Sequence, residues 1–170
     1  MKHLFLVAAA VASVPLSGAA LAGSVRMPDD DIVVTAPTLE NWSDRVFKDV
    51  ARNLRYPELM PGWPAHTGVV AVKFNCSDDG SPADVAVQKS SGHRDLDQAT
   101  VRAVRRVGTL HPLPQDISGE QQFIVKVLFS NSPDAERKAA EMRAEAARHN
   151  ARVLADRTNV AALEIAPRGS

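Results

Sequence analysis

Apolar residues along this chain change their spacing from every fourth position to every second and back again, and each change marks an element boundary. Val46, Val50 and Leu54 recur at i, i+4 and i+8 with Phe47 and Ala51 beside them, which predicts an amphipathic helix capped by Thr38 or Asn41. It stops before Tyr56-Pro57, because a proline disfavours helical geometry at the residue that precedes it. From Val69 to Cys76 the pattern alternates: Val70, Val72, Phe74 and Cys76 point one way, Val69, Ala71, Lys73 and Asn75 the other. That is a strand with one dry face. Asp78-Asp79-Gly80 tolerates positive φ and turns the chain, and Ala83 to Lys89 returns with Val85 and Val87 on one face.

Ser90-Ser91-Gly92 breaks the second strand. Asp95 is placed to cap a helix in which Leu96, Ala99, Ala103 and Val107 follow at helical spacing, with Arg102, Arg105 and Arg106 on the wet side and Gly108 and Pro112 ending it. A last strand, Gln122 to Ser130, carries Phe123, Val125, Val127 and Phe129 on one face and Ile124, Lys126 and Leu128 on the other. The order predicts an α+β fold, a three-stranded antiparallel sheet with two helices on one face. After Ser132-Pro133 comes an extra C-terminal helix, Ala135 to Arg157, rich in Ala, Glu and Arg, whose only bulky apolar side chains are Met142, Val153 and Leu154. Alanines bury little area, so at about 25 cal/mol per Å² this segment is expected to be mostly solvated. The alternative is a docking or dimerisation helix using Ala135, Ala139, Met142, Ala146 and Val153.

The ends set the compartment. Met1 to Ala22 reads as a secretory signal, with Lys2 at the start, an apolar core from Leu4 to Val14 and Ala20-Leu21-Ala22 as cleavage site. That core is about 17 Å long as a helix, against roughly 30 Å of membrane hydrocarbon, so no transmembrane segment is expected in the mature chain. Four regions result: signal 1–22, flexible lead 23–40, core domain 41–130, and helix and tail 131–170. Loss of Lys2 from the 20 basic residues leaves 19 against 20 acidic ones, a balance that gives no reason to expect nucleic acid as partner. Cys76, the single cysteine, is in phase with the dry face and is expected to be buried and inert.

Candidate chemistry is sparse. His66, His93, His111 and His149 lie far apart in sequence and Cys76 has no cysteine companion, so spacing predicts no metal site. The chain has no glycine-rich phosphate loop, no nucleophile elbow and no acidic pair in a predicted loop pocket; the expectation is a protein without cofactor and not an enzyme. What remains is backbone. The strand Phe123 to Phe129 has one charge, Lys126, and no proline, so an exposed edge there would accept an extended peptide by strand addition.

The ordered set Arg55-Tyr56-Pro57, Gly68 to Phe74, Asp78-Asp79-Gly80, Ser90-Ser91-Gly92 and Leu96-Asp97 resembles the C-terminal domain of TonB, the energy transducer of Gram-negative outer-membrane import. The resemblance implies a periplasmic protein-binding module whose last strand pairs with the TonB box of TonB-dependent outer-membrane receptors. It puts Arg55, Tyr56, Pro57, Phe123, Ile124, Val125, Lys126, Val127, Leu128 and Phe129 at the partner surface, the strand residues through their backbone. Two features depart from a TonB energy transducer, which has a permanent membrane anchor and a long proline-rich spacer. Here the anchor reads as cleavable, and the lead of about 20 residues reaches about 70 Å at most. Within that lead, Asp31 to Ala36 itself looks like a TonB box: Ile32, Val33, Val34 and Thr35 form a β-branched segment able to add to the edge of its own domain or of a second copy. The alternative function is that of an envelope structural or assembly protein that self-associates through the same fold without binding receptors.

Overall fold

The computed structural model describes residues 36–57, 64–115, 117–156 and 161–167. The signal, and Ile32 to Thr35, lie outside these residues. The elements run α1 (Leu39–Asn53), β1 (Gly68–Cys76), β2 (Pro82–Lys89), α2 (Arg94–Arg105), β3 (Phe123–Phe129), α3 (Ala135–Ala155) and β4 (Leu163–Ile165). Thr38 caps α1, its hydroxyl accepting from the Asn41 amide at 3.2 Å, and Trp42, Val46 and Val50 form the buried stripe. At α2 the cap position belongs to His93, whose side chain makes no capping bond; Asp95 falls inside the first turn, two residues later than expected for a cap.

The β1–β2 turn is built from the residues that the sequence offers it. Gly80 has φ of +82°, and an added Cβ there would come within 2.8 Å of Thr109 Oγ1, so the position needs glycine on both counts. Asp79 accepts from the hydroxyls of Ser77 and Ser81 at 2.6 and 2.7 Å and from the Ser81 amide at 3.0 Å. The Ser77 hydroxyl bond, then the Ser81 bonds, hold its carboxyl down at about 2.

The sheet differs from expectation. It has four strands, not three, in the order β2-β1-β3-β4, and β4 pairs parallel with β3 where an all-antiparallel sheet was expected. Leu163 and Ile165 sit opposite Phe123 and Val125 and are buried in the same core, with α3 serving as the crossover between two parallel strands. Most residues of α3 are exposed, as expected of this segment. The outer side of α3 is exposed, but Ala139, Ala146, Asn150 and Val153 are buried.

One core joins the layers: Val70, Val72 and Phe74 of β1, Phe123 to Phe129 at alternate positions of β3, Leu163 and Ile165 of β4, and the apolar stripes of α1 and α2. Trp42 lies 4.7 Å from the Phe123 ring and donates its indole N–H to the Leu110 carbonyl at 2.7 Å. Each fully buried large side chain in this set contributes about 1.5–3 kcal/mol. No helix among the described residues is long and apolar enough to cross a membrane.

Candidate functional site

The two long sides of this sheet are finished differently. On the β2 side, Pro82 begins the strand and the register with β1 slips between the Lys73 and Asn75 pairs. Asp84 there takes φ of +52°, and the Arg105 guanidinium reaches over to the Val85 carbonyl at 3.4 Å. Proline, a bulge and a charge across the strand are how a sheet edge is kept from pairing with another chain.

On the other side, β4 covers only part of β3. The register runs Phe123↔Leu163, Ile124↔Glu164 and Val125↔Ile165 and ends there. The expected edge is therefore interior over Phe123 to Val125, and those three residues are not offered to a partner while β4 is in place. Among the described residues, no strand lies on the outer side of Lys126, Val127, Leu128 and Phe129. Beside them opens a groove of about 400 Å³, lined by Val69, Leu128 and Phe129 from the sheet and by Lys138, Met142 and Glu145 from α3.

β4 itself is stapled. The Asn150 amide donates to the Glu164 carbonyl at 2.8 Å and accepts from the Glu164 N–H at 2.7 Å, occupying the two backbone groups that face away from β3. Lys126 Nζ meets Glu164 Oε2 at 2.8 Å, and the Gln121 amide donates to the Ala161 carbonyl at 2.8 Å. The one charge of β3 is thus spent inside the chain.

Of the three residues before β1 that sequence places at the partner surface, Tyr56 reaches the Phe129 end of β3. Its ring stands edge-on to Phe129 with centroids 5.6 Å apart, it is 46% exposed, and its hydroxyl donates to the His66 carbonyl. Arg55 is exposed and Pro57 half-buried in the same connection. The β3 side chains Phe123, Val125, Val127 and Phe129 are core, as alternation predicts, and Ile124 is also buried. Cys76 is buried, and burial, followed by the charges of Asp79 and Asp78, pushes its thiol above the usual range.

Spacing arguments missed one constellation. His66 and His93, 27 positions apart, stack with ring centroids 4.0 Å apart and planes within 11° of parallel, and His66 Nδ1 lies 2.8 Å from Asp95 Oδ2. The hairpin brings them together. Ala71 pairs with Lys89, so running that register outward sets the residues just before β1 beside those just after β2. Gly68 and Ser91 meet there so closely that a Cβ on Gly68 would lie 2.9 Å from that of Ser91. Pairing register, rather than distance in sequence, was the signal.

With this geometry in view, the likeness to known proteins is specific. Residues 53–130 match the family model for the Gram-negative bacterial TonB protein C-terminal domain. Over residues 53–130 the chain is similar to the TonB C-terminal domain. Domains of this family are energy-transduction and protein-interaction modules, not enzymes. Over 53 residues the chain is 45% identical to protein TonB2 of Pseudomonas aeruginosa, a stretch that is 30% of this chain and 18% of that protein, so the chain spans less than a fifth of this curated relative. Among solved structures it is similar to the TonB C-terminal domain of Helicobacter pylori, at 24% identity and a TM-score of 0.42 over 52% of this chain and 92% of that one. It is also similar to TolAIII bound to a peptide derived from the N-terminus of TolB, at 22% identity and a TM-score of 0.44 over 59% of this chain and 82% of that one.

Proposed function

We propose that this chain is a periplasmic peptide-recognition module that takes an extended segment of an envelope protein by strand addition along the outer side of β3, and that its partners are TonB-dependent outer-membrane receptors. The observation that carries the reading is the asymmetry of the sheet. The β2 side bears proline, a bulge and Arg105, while among the described residues Lys126 to Phe129 have no strand on their outer side and lie beside a groove that has apolar residues and both signs of charge. Strand addition draws affinity from main-chain hydrogen bonds and specificity from flanking side chains, here Tyr56, Leu128 and Met142. Similarity of residues 53–130 to a family of protein-interaction modules supports the same reading.

A guest of four residues would fit the uncovered half of β3. A longer one has to lift β4, whose three pairs, Asn150 clamp and buried Leu163 and Ile165 would compete with it. Titration calorimetry on the full chain tests this with a synthetic peptide copying Asp31 to Ala36, which looks like a receptor box, and with the same peptide methylated on alternate backbone nitrogens. Binding of the first and silence of the second is expected. Equal binding of both would mean that recognition does not use the backbone.

A further inference from the structure

A hydrogen bond with Asp95 accounts for His66 but leaves His93 unexplained. His93 occupies the N-cap of α2, where Ser, Thr, Asp or Asn would bond the first free N–H groups, and it makes no such bond. Among the described residues its ring nitrogens have no hydrogen-bond partner, and the ring lies flat against His66. The loop that carries it is rigidly made. Asp97 accepts from the Ser90 hydroxyl at 2.5 Å and from the Ser91 amide and hydroxyl at 2.9 Å each, and Ser91 in turn receives the His93 amide at 3.2 Å. His66 is held from the other side through its carbonyl by the Tyr56 hydroxyl.

We propose that His66, His93 and Asp95 form a binding site for a divalent transition-metal ion, zinc being the one their donors suit. One ligand atom from each of the three lies within 4.8 Å of the other two, and all three residues are half-buried. Two imidazoles and a carboxylate are the donor types of zinc sites that keep a fourth position for water. With bonds of about 2.0–2.1 Å, tetrahedral donors stand about 3.3 Å apart, a spacing that lies between the 2.8 Å of the His66–Asp95 pair and the 4.8 Å that bounds the whole set. Ring rotation out of the stack turns the two nitrogen lone pairs toward one point. The hard cations magnesium and calcium prefer all-oxygen shells and are not suited to it.

Such a site would tie the connection before β1 to the start of α2, two segments that otherwise meet through the His66–Asp95 pair, the ring stack and the Gly68–Ser91 contact. Through His66 and Tyr56 it would also brace the Phe129 end of β3. The proposal stands whether or not β3 receives a peptide.

Untagged full-length protein titrated with zinc chloride by calorimetry in a non-chelating buffer tests it. Uptake of one zinc per chain is expected, weakened by at least about tenfold in His66→Gln and in His93→Gln and unchanged in His111→Gln and Cys76→Ser. Imidazole ¹H–¹⁵N spectra should move for His66 and His93 alone. Should either glutamine variant fail to fold by circular dichroism, Asp95→Asn, which keeps the shape, gives the same reading. Absence of zinc uptake by the parent chain, or uptake that survives both histidine substitutions or is unaltered in Asp95→Asn, overturns the site.

Discussion

The outer side of β2 and the outer side of β3 face the same problem, unpaired backbone in a small sheet, and answer it in opposite ways. β2 is blunted by local means: a proline, a residue at positive φ, and an arginine from the helix that follows. β3 carries a single charge, Lys126, and, among the described residues, is covered on its outer side by a distant part of the chain that pairs with three of its seven residues. Local blunting is permanent. Cover supplied by a three-residue strand depends on the side chains that hold it, so single substitutions are expected to loosen it.

The largest effect is expected from Leu163→Ala. Leu163 is fully buried against Phe123, so its loss should cost about 2–5 kcal/mol in thermal or urea unfolding and, by freeing Phe123 to Val125, tighten the binding of box-like peptides. A stability loss below this range would mean that β4 contributes little to the core. Asn150→Ala comes next. It strands the N–H and C=O of Glu164, so about 1–3 kcal/mol is expected, together with faster hydrogen exchange at the Glu164 amide than at Val127. On the opposite edge, Asp84→Gly relieves the φ of +52° at the expense of a 3.3 Å bond from Asn75. A net gain of about 0.5 kcal/mol is expected, with peptide affinity unchanged, since the proposed docking edge is on the other side. A rise in affinity would move the site to β2.

The smallest effect concerns pH. The folded chain keeps the Asp79 carboxyl at about 2 against an ordinary 3.8, so the turn's contribution is whole above the unfolded value and is lost as pH falls through the folded one. Asp79→Asn should flatten the stability profile between those two values and leave neutral-pH peptide binding intact. A profile as steep as the parent's would show that the turn does not favour the carboxylate.

Alternation made β1 and β3 legible because one face is dry, and Tyr56-Pro57 marked the end of the first helix for a steric reason that holds in any context. β4 was not legible: Leu163-Glu164-Ile165 is too short to show a period, and its partner lies 40 positions away. The buried side of α3 uses Ala139, Ala146 and Val153 of the alternative docking face, but within its own chain, together with Asn150, which an apolar pattern does not register. At the candidate peptide site, the strand and Tyr56 were readable from motif order, while the half-cover by β4 and the groove beside α3 are tertiary facts. The histidine pair follows from hairpin register, which a list of intervals between histidines does not contain.

We propose that a guest strand pairs with the outer side of β3 at Lys126 to Phe129. The most direct measurement is an amide map of the full ¹⁵N-labelled chain as the Asp31–Ala36 peptide is added. Shifts concentrated at Lys126 to Phe129 and Tyr56, with slowed exchange of β3 amides and a silent Pro82–Lys89 strand, are the expected result. Shifts confined to β2, or a bound peptide that leaves every β3 amide where it was, would contradict the account.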